Sequence, residues 1–287
     1  MARTITDHHL ISFRDHLINE EKSTATVEKY LRDVRAFFVF LGEREVTKEV
    51  TVAFKVALQE KNYLINSINS MLASLNKLLE FMGWHDCKVK NLKKQRDIFC
   101  PEERELTKAD YLRLLEVSKK QVQLNLLMQT ICGTGIRVSE LKYFTVEAVK
   151  CGEVSVRCKS KTRIVLIPGK LKKMLLDYGK RKGIDSGPIF ATKNGKPLDR
   201  SNIWAQMKRL CERANVDPNK VFPHNLRKLF ARTFYGIEKD IAKLADILGH
   251  GSIETTRIYI MTTGVEHRRK MDRLGLVVGD EKSKNTT

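Results

Sequence analysis

The chain has 287 residues, 42% of them hydrophobic, so it is long enough for one large or two medium domains with a buried core. Its 53 lysines and arginines against 34 aspartates and glutamates give a net charge of +19, which favours a nucleic-acid partner over a generally solvated basic surface. The sequence has no signal-peptide core, no membrane-length apolar run and no C-x-x-C among its six cysteines, and these absences together indicate a cytoplasmic protein with reduced thiols.

Residues 1–86 are predicted to form a helical domain. The stretches ATVEKYLRDVRAFFVFL and LINSINSMLASLNKLLEFMG both place apolar residues at helical spacing, on stripes running from Val27 to Leu41 and from Ile65 to Met82. These stripes are expected in a core. Three serines lie off the second stripe and are expected on a solvated surface, with contact to DNA phosphates as the alternative: Ser67, Ser70 and Ser74.

A basic linker is predicted over residues 87–104, where the composition changes abruptly before Pro101. Five cations in this stretch are candidate contacts to DNA phosphates: Lys88, Lys90, Lys93, Lys94 and Arg96. Helical structure resumes in LTKADYLRLLEVS, where Thr107 is predicted as N-cap and Asp110 as its partner three residues on. A second domain is therefore expected over residues 105–275.

Inside this second domain the hydrophobic period changes once. EVSVRCKSKTRIVLIP alternates polar and β-branched residues about a polar tip, which predicts a β-hairpin. The chain then returns to helical patterns, in KLKKMLLDYGKRKG, SNIWAQMKRLCERANV, PHNLRKLFARTFYG and DIAKLADILG. Residues 276–287 are expected to be a disordered tail.

An arginine follows a glycine-interrupted helix in CGTGIRVSELKYF. Gly133 and Gly135 break the apolar helix, and a new helix is predicted near Arg137. A cation in the first turn of a helix is repelled by the positive end of the helix dipole. This position becomes favourable if an anion binds there, held by the guanidinium and the backbone N–H groups. The alternative is that Arg137 pairs with Glu140, one turn on.

A histidine and an arginine share the first turn of the helix predicted in FPHNLRKLFARTF. Pro223 fits a helix start, and His224 and Arg227 are three residues apart and so lie on one face. This pair can form a phosphate pocket, although such pairs are also common on ordinary surfaces.

A third stretch, ILGHGSIETTRIYI, ends one helix at Gly249 and starts another after a cap at Ser252. His250 lies in the bend between the two helices. Tyr259 follows nine residues later, either in the core beside its isoleucine neighbours or brought back towards His250 to do chemistry.

The order of these motifs resembles the tyrosine recombinase family, the phage-integrase-like site-specific recombinases. The motifs are G-T-G-x-R with Arg137, H-x-L-R with His224 and Arg227, L-G-H with His250, and T-T-x-x-Y with Tyr259. The resemblance implies a mainly α fold with a small β-sheet, comprising a helical core-binding domain and a mixed α/β catalytic domain. It also implies a lysine on the β-hairpin. Lys159 matches best, with Lys161 as its rival because this hairpin tip is a residue shorter than the common form. Lys228 departs from the family pattern, at a position outside the core catalytic set.

The resemblance implies a role in phosphodiester chemistry for each of these motif residues. Arginines are always charged and offer a planar fork of donors for the charge that builds on a phosphate's non-bridging oxygens. The expected set has Arg137 and Arg227 on the phosphate, with His250 adding a hydrogen bond to it. Tyr259 is the expected nucleophile, Lys159 the general acid, and His224 either the proton acceptor or a residue that orients the other groups.

The resemblance further implies a 3′-phosphotyrosine intermediate and no cofactor or metal, in keeping with a sequence that has no G-x-x-x-x-G-K-[ST] loop. The expected partner is duplex DNA with a specific target site, bound by a homotetramer on two sites. The segment VEHRRKMDRLGLV would dock on a neighbouring subunit, or alternatively on its own domain. Integration, excision, inversion and resolution all remain open, and the rival functions are a type IB topoisomerase and an inactive DNA-binding regulator.

Overall fold

The computed structural model describes residues 3–93, 105–158, 161–192 and 194–277, apart from the side chains of Cys158 and Lys161. Contacts divide the chain into an N-terminal unit, residues 1–96, and a C-terminal unit, residues 97–287. The described residues are mostly helical, with one small antiparallel sheet, and this confirms the predicted fold class. Among these residues, no helix is both long and apolar enough to cross a membrane.

Four helices and a short 3-10 turn build the N-terminal unit. Ser23 and Thr47 cap two of the helices by accepting a hydrogen bond from a backbone N–H of the first turn. The two predicted apolar stripes lie on α2 and α4, whose inward faces form the core of this unit. The elements are α1 Asp7–Asn19, α2 Thr24–Leu41, α3 Lys48–Glu60, α4 Ile65–Phe81 and the 3-10 helix His85–Cys87.

Ser74 is fully buried, so the expectation that it lies on a solvated surface is wrong; Ser67 and Ser70 are exposed as expected. Its hydroxyl donates to Oδ2 of Asp33 at 2.9 Å and accepts from Nζ of Lys29 at 2.9 Å. Lys29 and Asp33, one turn apart on α2, also form an ion pair at 2.7 Å. A nearly buried carboxylate needs such partners, so Ser74 is inside the α2–α4 contact although its residue type suggests a surface.

The first residues of the predicted basic linker pack against the N-terminal unit. Cys87 and Val89 are buried in its core. Two asparagines of α4 each make a pair of hydrogen bonds with this segment's backbone, at 2.8–3.0 Å: Asn76 with both polar groups of Val89, and Asn69 with both of Leu92. Residues 87–92 are therefore fixed to α4 by paired amide hydrogen bonds, which composition alone does not predict.

Ten α-helices, two 3-10 helices and one hairpin make up the described part of the C-terminal unit. Thr107 and Asp110 form the predicted capping box. The elements are α5 Lys108–Val117, α6 Val122–Thr134, a 3-10 helix Val138–Tyr143, α7 Val146–Cys151, β1 Glu153–Cys158, β2 Lys161–Leu166, α8 Gly169–Lys182, α9 Arg200–Arg209, α10 Cys211–Ala214, a 3-10 helix Pro218–Lys220, α11 Pro223–Ile237, α12 Ile241–Leu248, α13 Ile253–Ile260 and α14 Gly264–Asp272.

The predicted hairpin is present, with β1 and β2 antiparallel and Glu153 opposite Leu166 at its open end. Alternate residues Val154, Val156 and Val165 are buried, which is why the sequence alternates there. The large core of the unit includes these valines and the apolar faces of α6, α8 and α11. A second, smaller cluster joins α11, α12 and α13 and contains Tyr259.

Candidate active site

Arg227 lies at the centre of the candidate site and is only 1% exposed. Its Nη1 donates to the carbonyl of Gly135, at the end of α6, at 2.5 Å. Its Nη2 donates to the carbonyl of Leu248, at the end of α12, at 2.6 Å. The last carbonyls of a helix lack partners within the helix and carry the negative end of its dipole, so two helix ends together hold this cation.

Two glycines allow these helix ends to approach the site. Gly135 and Gly249 end α6 and α12 with φ values of +66° and +63°, a region that other residues rarely adopt. A Cβ on Gly135 would lie 2.4 Å from the Phe230 ring, and one on Gly249 would lie 2.6 Å from Cδ and Nε of Arg163. Glycine is therefore required at both positions by backbone conformation and by space.

Arg137 immediately precedes the predicted helix, which is a six-residue 3-10 helix. Its Nη1 donates to Oε1 of Glu140 at 3.0 Å, so the alternative pairing is present. Its Nη2 also donates to the carbonyl of Gly249 at 3.3 Å, which draws the side chain towards the end of α12. With 34% of its side chain exposed, Arg137 is accessible to a ligand where Arg227 is not.

Glu140 is buried and bridges two arginines. Its Oε2 accepts from the backbone N–H of Arg137 at 2.8 Å and from Nη2 of Arg163, on β2, at 2.7 Å. A carboxylate that accepts several charge-assisted hydrogen bonds has little freedom to move. Glu140 therefore fixes Arg137 at the start of its helix and ties the hairpin to the same point.

His250 lies directly beside Arg227. Its Nε2 is 3.0 Å from Nη2 of Arg227, and its Nδ1 is 2.8 Å from Oγ1 of Thr256. Partial burial, followed by the charges of Arg227 and Arg137, lowers the pKa of His250 to about 4. The imidazole is therefore neutral at pH 7.

Tyr259 is turned inward from α13 and is 9% exposed. Its ring centroid lies 5.0 Å from that of His224 and 4.8 Å from that of His250. The guanidinium carbon of Arg227 lies 5.8 Å from the same centroid. Both positions predicted for Tyr259 therefore hold at once. The tyrosine is part of a small core cluster, and it also lies against the histidines and the buried arginine.

His224 stands in the first turn of α11, which begins at Pro223 as predicted. His224 is an exposed residue, and its ring packs against the ring of Tyr259 in an edge-to-face arrangement. Withdrawal of the ring from water, then the charges of Lys228 and Arg227, lower the pKa of His224 to about 4. This ring, too, is neutral at pH 7 and has a lone pair that can accept a proton.

The sequence of the C-terminal unit matches a known family over the elements that carry this site. Residues 104–264 match the phage integrase family model, and residues 10–85 match the N-terminal SAM-like domain of phage integrases. The chain belongs to the phage integrase family. This confirms the resemblance predicted from the four motifs.

Curated relatives of this phage integrase family member are tyrosine recombinases. It is 29% identical over 288 residues to tyrosine recombinase XerA of Pyrococcus furiosus, with 96% of each chain covered. It is 29% identical over 258 residues to tyrosine recombinase XerC of Herpetosiphon aurantiacus, covering 82% of this chain and 83% of that one.

The fold is shared with a solved structure of lambda integrase, crystallised as a dimer bound to a COC′ core site. The TM-score is 0.72 at 18% identity, with 91% of this chain and 97% of that chain covered.

The other predicted site residues of this family member belong to the N-terminal unit or lie outside the described residues. Lys159 lies outside the described residues, and so does the side chain of Lys161, so neither is placed against the phosphate pocket. Lys94 and Arg96 are also outside. Of the remaining basic candidates, Lys88 is paired with Glu80 at 2.9 Å, whereas Lys90 and Lys93 are exposed.

The C-terminal helix α14 contacts its own unit. Thr263 and Glu266 form its capping box, and both carboxylate oxygens of Glu266 accept from Nη2 of Arg232 on α11 at 3.1 Å. Arg232 also forms an ion pair with Glu105. This contact corresponds to the alternative prediction, in which the segment packs on its own domain.

Two residues of the site were not singled out from the sequence. Arg163 reaches Glu140 from a strand, and Thr256 is fully buried against His250. The T-T-x-x-Y motif contains Thr256 but gives no sign that this threonine, rather than Thr255, points inward. No group of three or more potential metal ligands occurs among the residues whose positions are described.

Proposed function

We propose that this chain cuts and rejoins duplex DNA at a specific site through a 3′-phosphotyrosine intermediate formed on Tyr259. Site-specific DNA recombination is the activity that the family and the curated relatives support. The residue roles below extend that activity to the atoms of this chain.

The burial of Arg227 is the observation that carries the proposal. Within the described chain its guanidinium donates to two carbonyls and to an imidazole, all neutral, and none of its hydrogen bonds reaches a carboxylate. Burial and the neighbouring charge of Arg137 lower its pKa to about 10, yet it remains charged at pH 7. A buried cation beside a second arginine, both near a tyrosine, favours an anionic ligand at this point.

The proposed reaction is an exchange of phosphoester bonds. The Tyr259 oxygen forms a bond to the scissile phosphorus as the bond to the 5′ oxygen breaks, and the neutral ring of His224 accepts the phenolic proton. Lys159 would give a proton to the departing 5′ oxygen. A 5′ hydroxyl from the partner duplex then attacks the phosphotyrosine and reverses the step, which joins new strands without an external energy source.

Charge stabilisation is assigned to the two arginines. Arg137, which is partly exposed, would bind the incoming phosphate, and Arg227 would hold the negative charge that develops in the transition state. Both side chains are anchored through backbone carbonyls at the glycine-terminated helices, so they need little rearrangement when charge develops.

The proposed domain organisation is a helical DNA-clamp domain over residues 1–86, a basic linker over 87–104, a catalytic domain over 105–275 and a tail over 276–287. The net charge of +19 supports phosphate contacts by these parts, Lys90 and Lys93 among them. We propose a homotetramer on two DNA sites, formed when the C-terminal segment leaves Arg232 and docks on a neighbouring subunit. We also propose a cytoplasmic location, which a DNA substrate favours.

A plasmid assay tests this function against the topoisomerase alternative. One supercoiled plasmid carries two copies of the DNA segment that flanks the gene, and a matched plasmid carries none. Recombinant products from the first plasmid alone, absent with Tyr259→Phe, are expected. Efficient relaxation of the second plasmid without recombinants would instead identify a topoisomerase, and wild-type levels of recombination by Tyr259→Phe would rule out the proposed nucleophile.

A further inference from the structure

The hydrogen bonds around His250 define which of its nitrogens carries the proton. A guanidinium donates hydrogen bonds but cannot accept them, so Nε2 of His250 accepts from Nη2 of Arg227. The ring is neutral at pH 7, so its one proton is on Nδ1 and points to Oγ1 of Thr256, 2.8 Å away. In this state the nitrogen that faces Arg227 is an acceptor.

The proposed chemistry requires the other tautomer of His250. To donate a hydrogen bond to a phosphate oxygen beside Arg227, the ring must carry a proton on Nε2. A neutral ring meets this need only if its Nδ1 loses its proton and becomes an acceptor. The group beside Nδ1 must then donate where it previously accepted.

A threonine hydroxyl can do both, because it has one O–H donor and two acceptor lone pairs and its hydrogen rotates. Thr256 is fully buried, so water does not substitute for it as that partner. It also lies one turn before Tyr259 on α13, with both side chains turned inward. The contact between Thr256 and His250 therefore joins the histidine to the helix that carries the proposed nucleophile.

We propose that Thr256 is a positioning residue whose hydroxyl holds His250 in either neutral tautomer. Without DNA the ring is Nδ1–H, and its Nε2 accepts from Arg227. With DNA the ring is Nε2–H and donates to the scissile phosphate. The switch is balanced, because the ring loses one proton from Nδ1 and gains one on Nε2, so its charge and its number of protons do not change. The proposal rests on the proposed function for the DNA-bound state, whereas the DNA-free tautomer follows from the contacts of His250 alone.

The experiment uses the full chain with ¹⁵N-labelled histidine, four variants at His250, Thr255 and Thr256, and Tyr259→Phe for the cleavage assay. Thr256→Val removes the hydroxyl at nearly constant shape, and Thr256→Ser retains it. Thr255→Val makes the same chemical change at an exposed neighbour on the same helix and is the matched control. Long-range ¹H–¹⁵N spectra at pH 7 report the protonated nitrogen of His250, assigned by comparison with His250→Asn. Urea unfolding of each variant shows that it is folded.

The same proteins are assayed for covalent cleavage of a nicked duplex made from the flanking DNA used above. Wild type is expected to show His250 as Nδ1–H. Thr256→Val should lose that single tautomer and cleave about tenfold more slowly, as for the loss of one hydrogen bond to a catalytic group. Thr256→Ser and Thr255→Val are expected within about twofold of wild type.

Two results would overturn the proposal: His250 found as Nε2–H or as imidazolium in the DNA-free wild type, or wild-type cleavage by Thr256→Val. Failure of the proposed function has a different signature. In that case Tyr259→Phe cleaves as well as wild type, while the tautomer spectra of wild type and Thr256→Val still differ.

Discussion

At the scale of single residues, the site depends on one buried charge. A guanidinium out of water is costly unless its donors are satisfied, and Arg227 meets this need with carbonyls from two helix ends. Because these partners are neutral, they orient the cation without cancelling its charge. A carboxylate in their place would compete with the phosphate for the same donors.

Arg227→Lys is predicted to reduce DNA cleavage by about a hundredfold or more, because a compact ammonium lacks the planar fork of donors that spans the carbonyls of two helices and the phosphate. Non-covalent DNA binding should change by about threefold or less, since most affinity comes from other phosphate contacts. Rates are measured on the nicked duplex. Arg257→Lys, at an exposed position of α13, is the control; equal losses in the two variants would contradict the special role of Arg227.

His250 should make the stability of the protein depend on pH. Its pKa is lowered to about 4 in the folded state, against 6.5 ordinarily, so between these values the unfolded chain binds more protons. The free energy of unfolding therefore falls as pH drops through this window. His250 accounts for about 1–2 kcal/mol of the fall in the free energy of unfolding between pH 7 and pH 5.

Urea unfolding at pH 7 and pH 5 measures this share as the difference between wild type and His250→Asn. The variant is expected to lose less stability than wild type on acidification. An equal loss in both proteins would show that the ring of His250 titrates normally in the folded state.

The sequence identified the residues with distinctive chemistry better than those that support them. Arg137, His224, Arg227, His250 and Tyr259 are brought together, while their catalytic roles stay predictions. Arg163 and Thr256 were not found, because their importance comes from contacts to Glu140 and His250 that no local pattern reveals. Ser74 was misplaced for a related reason: a buried ion pair on another helix provides the partners that a serine normally finds in water.

At the scale of elements, the site is built where helices end. The carbonyls of Gly135, Leu248 and Gly249 hold the two arginines, and left-handed glycines make these ends possible. Such ends were predictable, since glycine stops and threonine or serine caps are local signals. The packing of residues 87–92 was not predictable, because it depends on two asparagine side chains that pair with a backbone distant in sequence.

Gly249→Ala is predicted to lower the free energy of unfolding by about 2–4 kcal/mol, because the left-handed backbone is strained and the new methyl group would displace Arg163. The end of α12 would move with it, and cleavage should fall to near background. Gly251→Ala is the matched control, since a Cβ there meets nothing within 4 Å. Near-wild-type urea unfolding of Gly249→Ala would disprove the close approach of α12 and β2.

At the scale of the whole molecule, the charge of +19 predicted a nucleic-acid partner before any motif was considered. That inference needs no structure because phosphate binding depends chiefly on the number of cations available. The DNA sequence read by this chain is a different matter. It depends on a few contacts to base edges, which neither net charge nor helical pattern predicts.

Binding to the target duplex should weaken about a thousandfold or more between 50 and 200 mM salt, as for a protein that neutralises roughly six to ten phosphates. Fluorescence anisotropy with the catalytically silent Tyr259→Phe variant measures this without cleavage. A duplex of unrelated sequence is the control and should show a similar slope at weaker affinity. A salt-insensitive affinity would contradict the proposed contacts to the DNA backbone.

The central claim is that Tyr259 becomes covalently linked to the 3′ phosphate of DNA. The most direct measurement is mass spectrometry of peptides from protein trapped on the nicked duplex and treated with nuclease. A nucleotide adduct is expected on the peptide that contains Tyr259 and is expected to be absent in Tyr259→Phe, although that variant still binds DNA. An adduct on any other residue, or cleavage that leaves the protein unmodified, would contradict it.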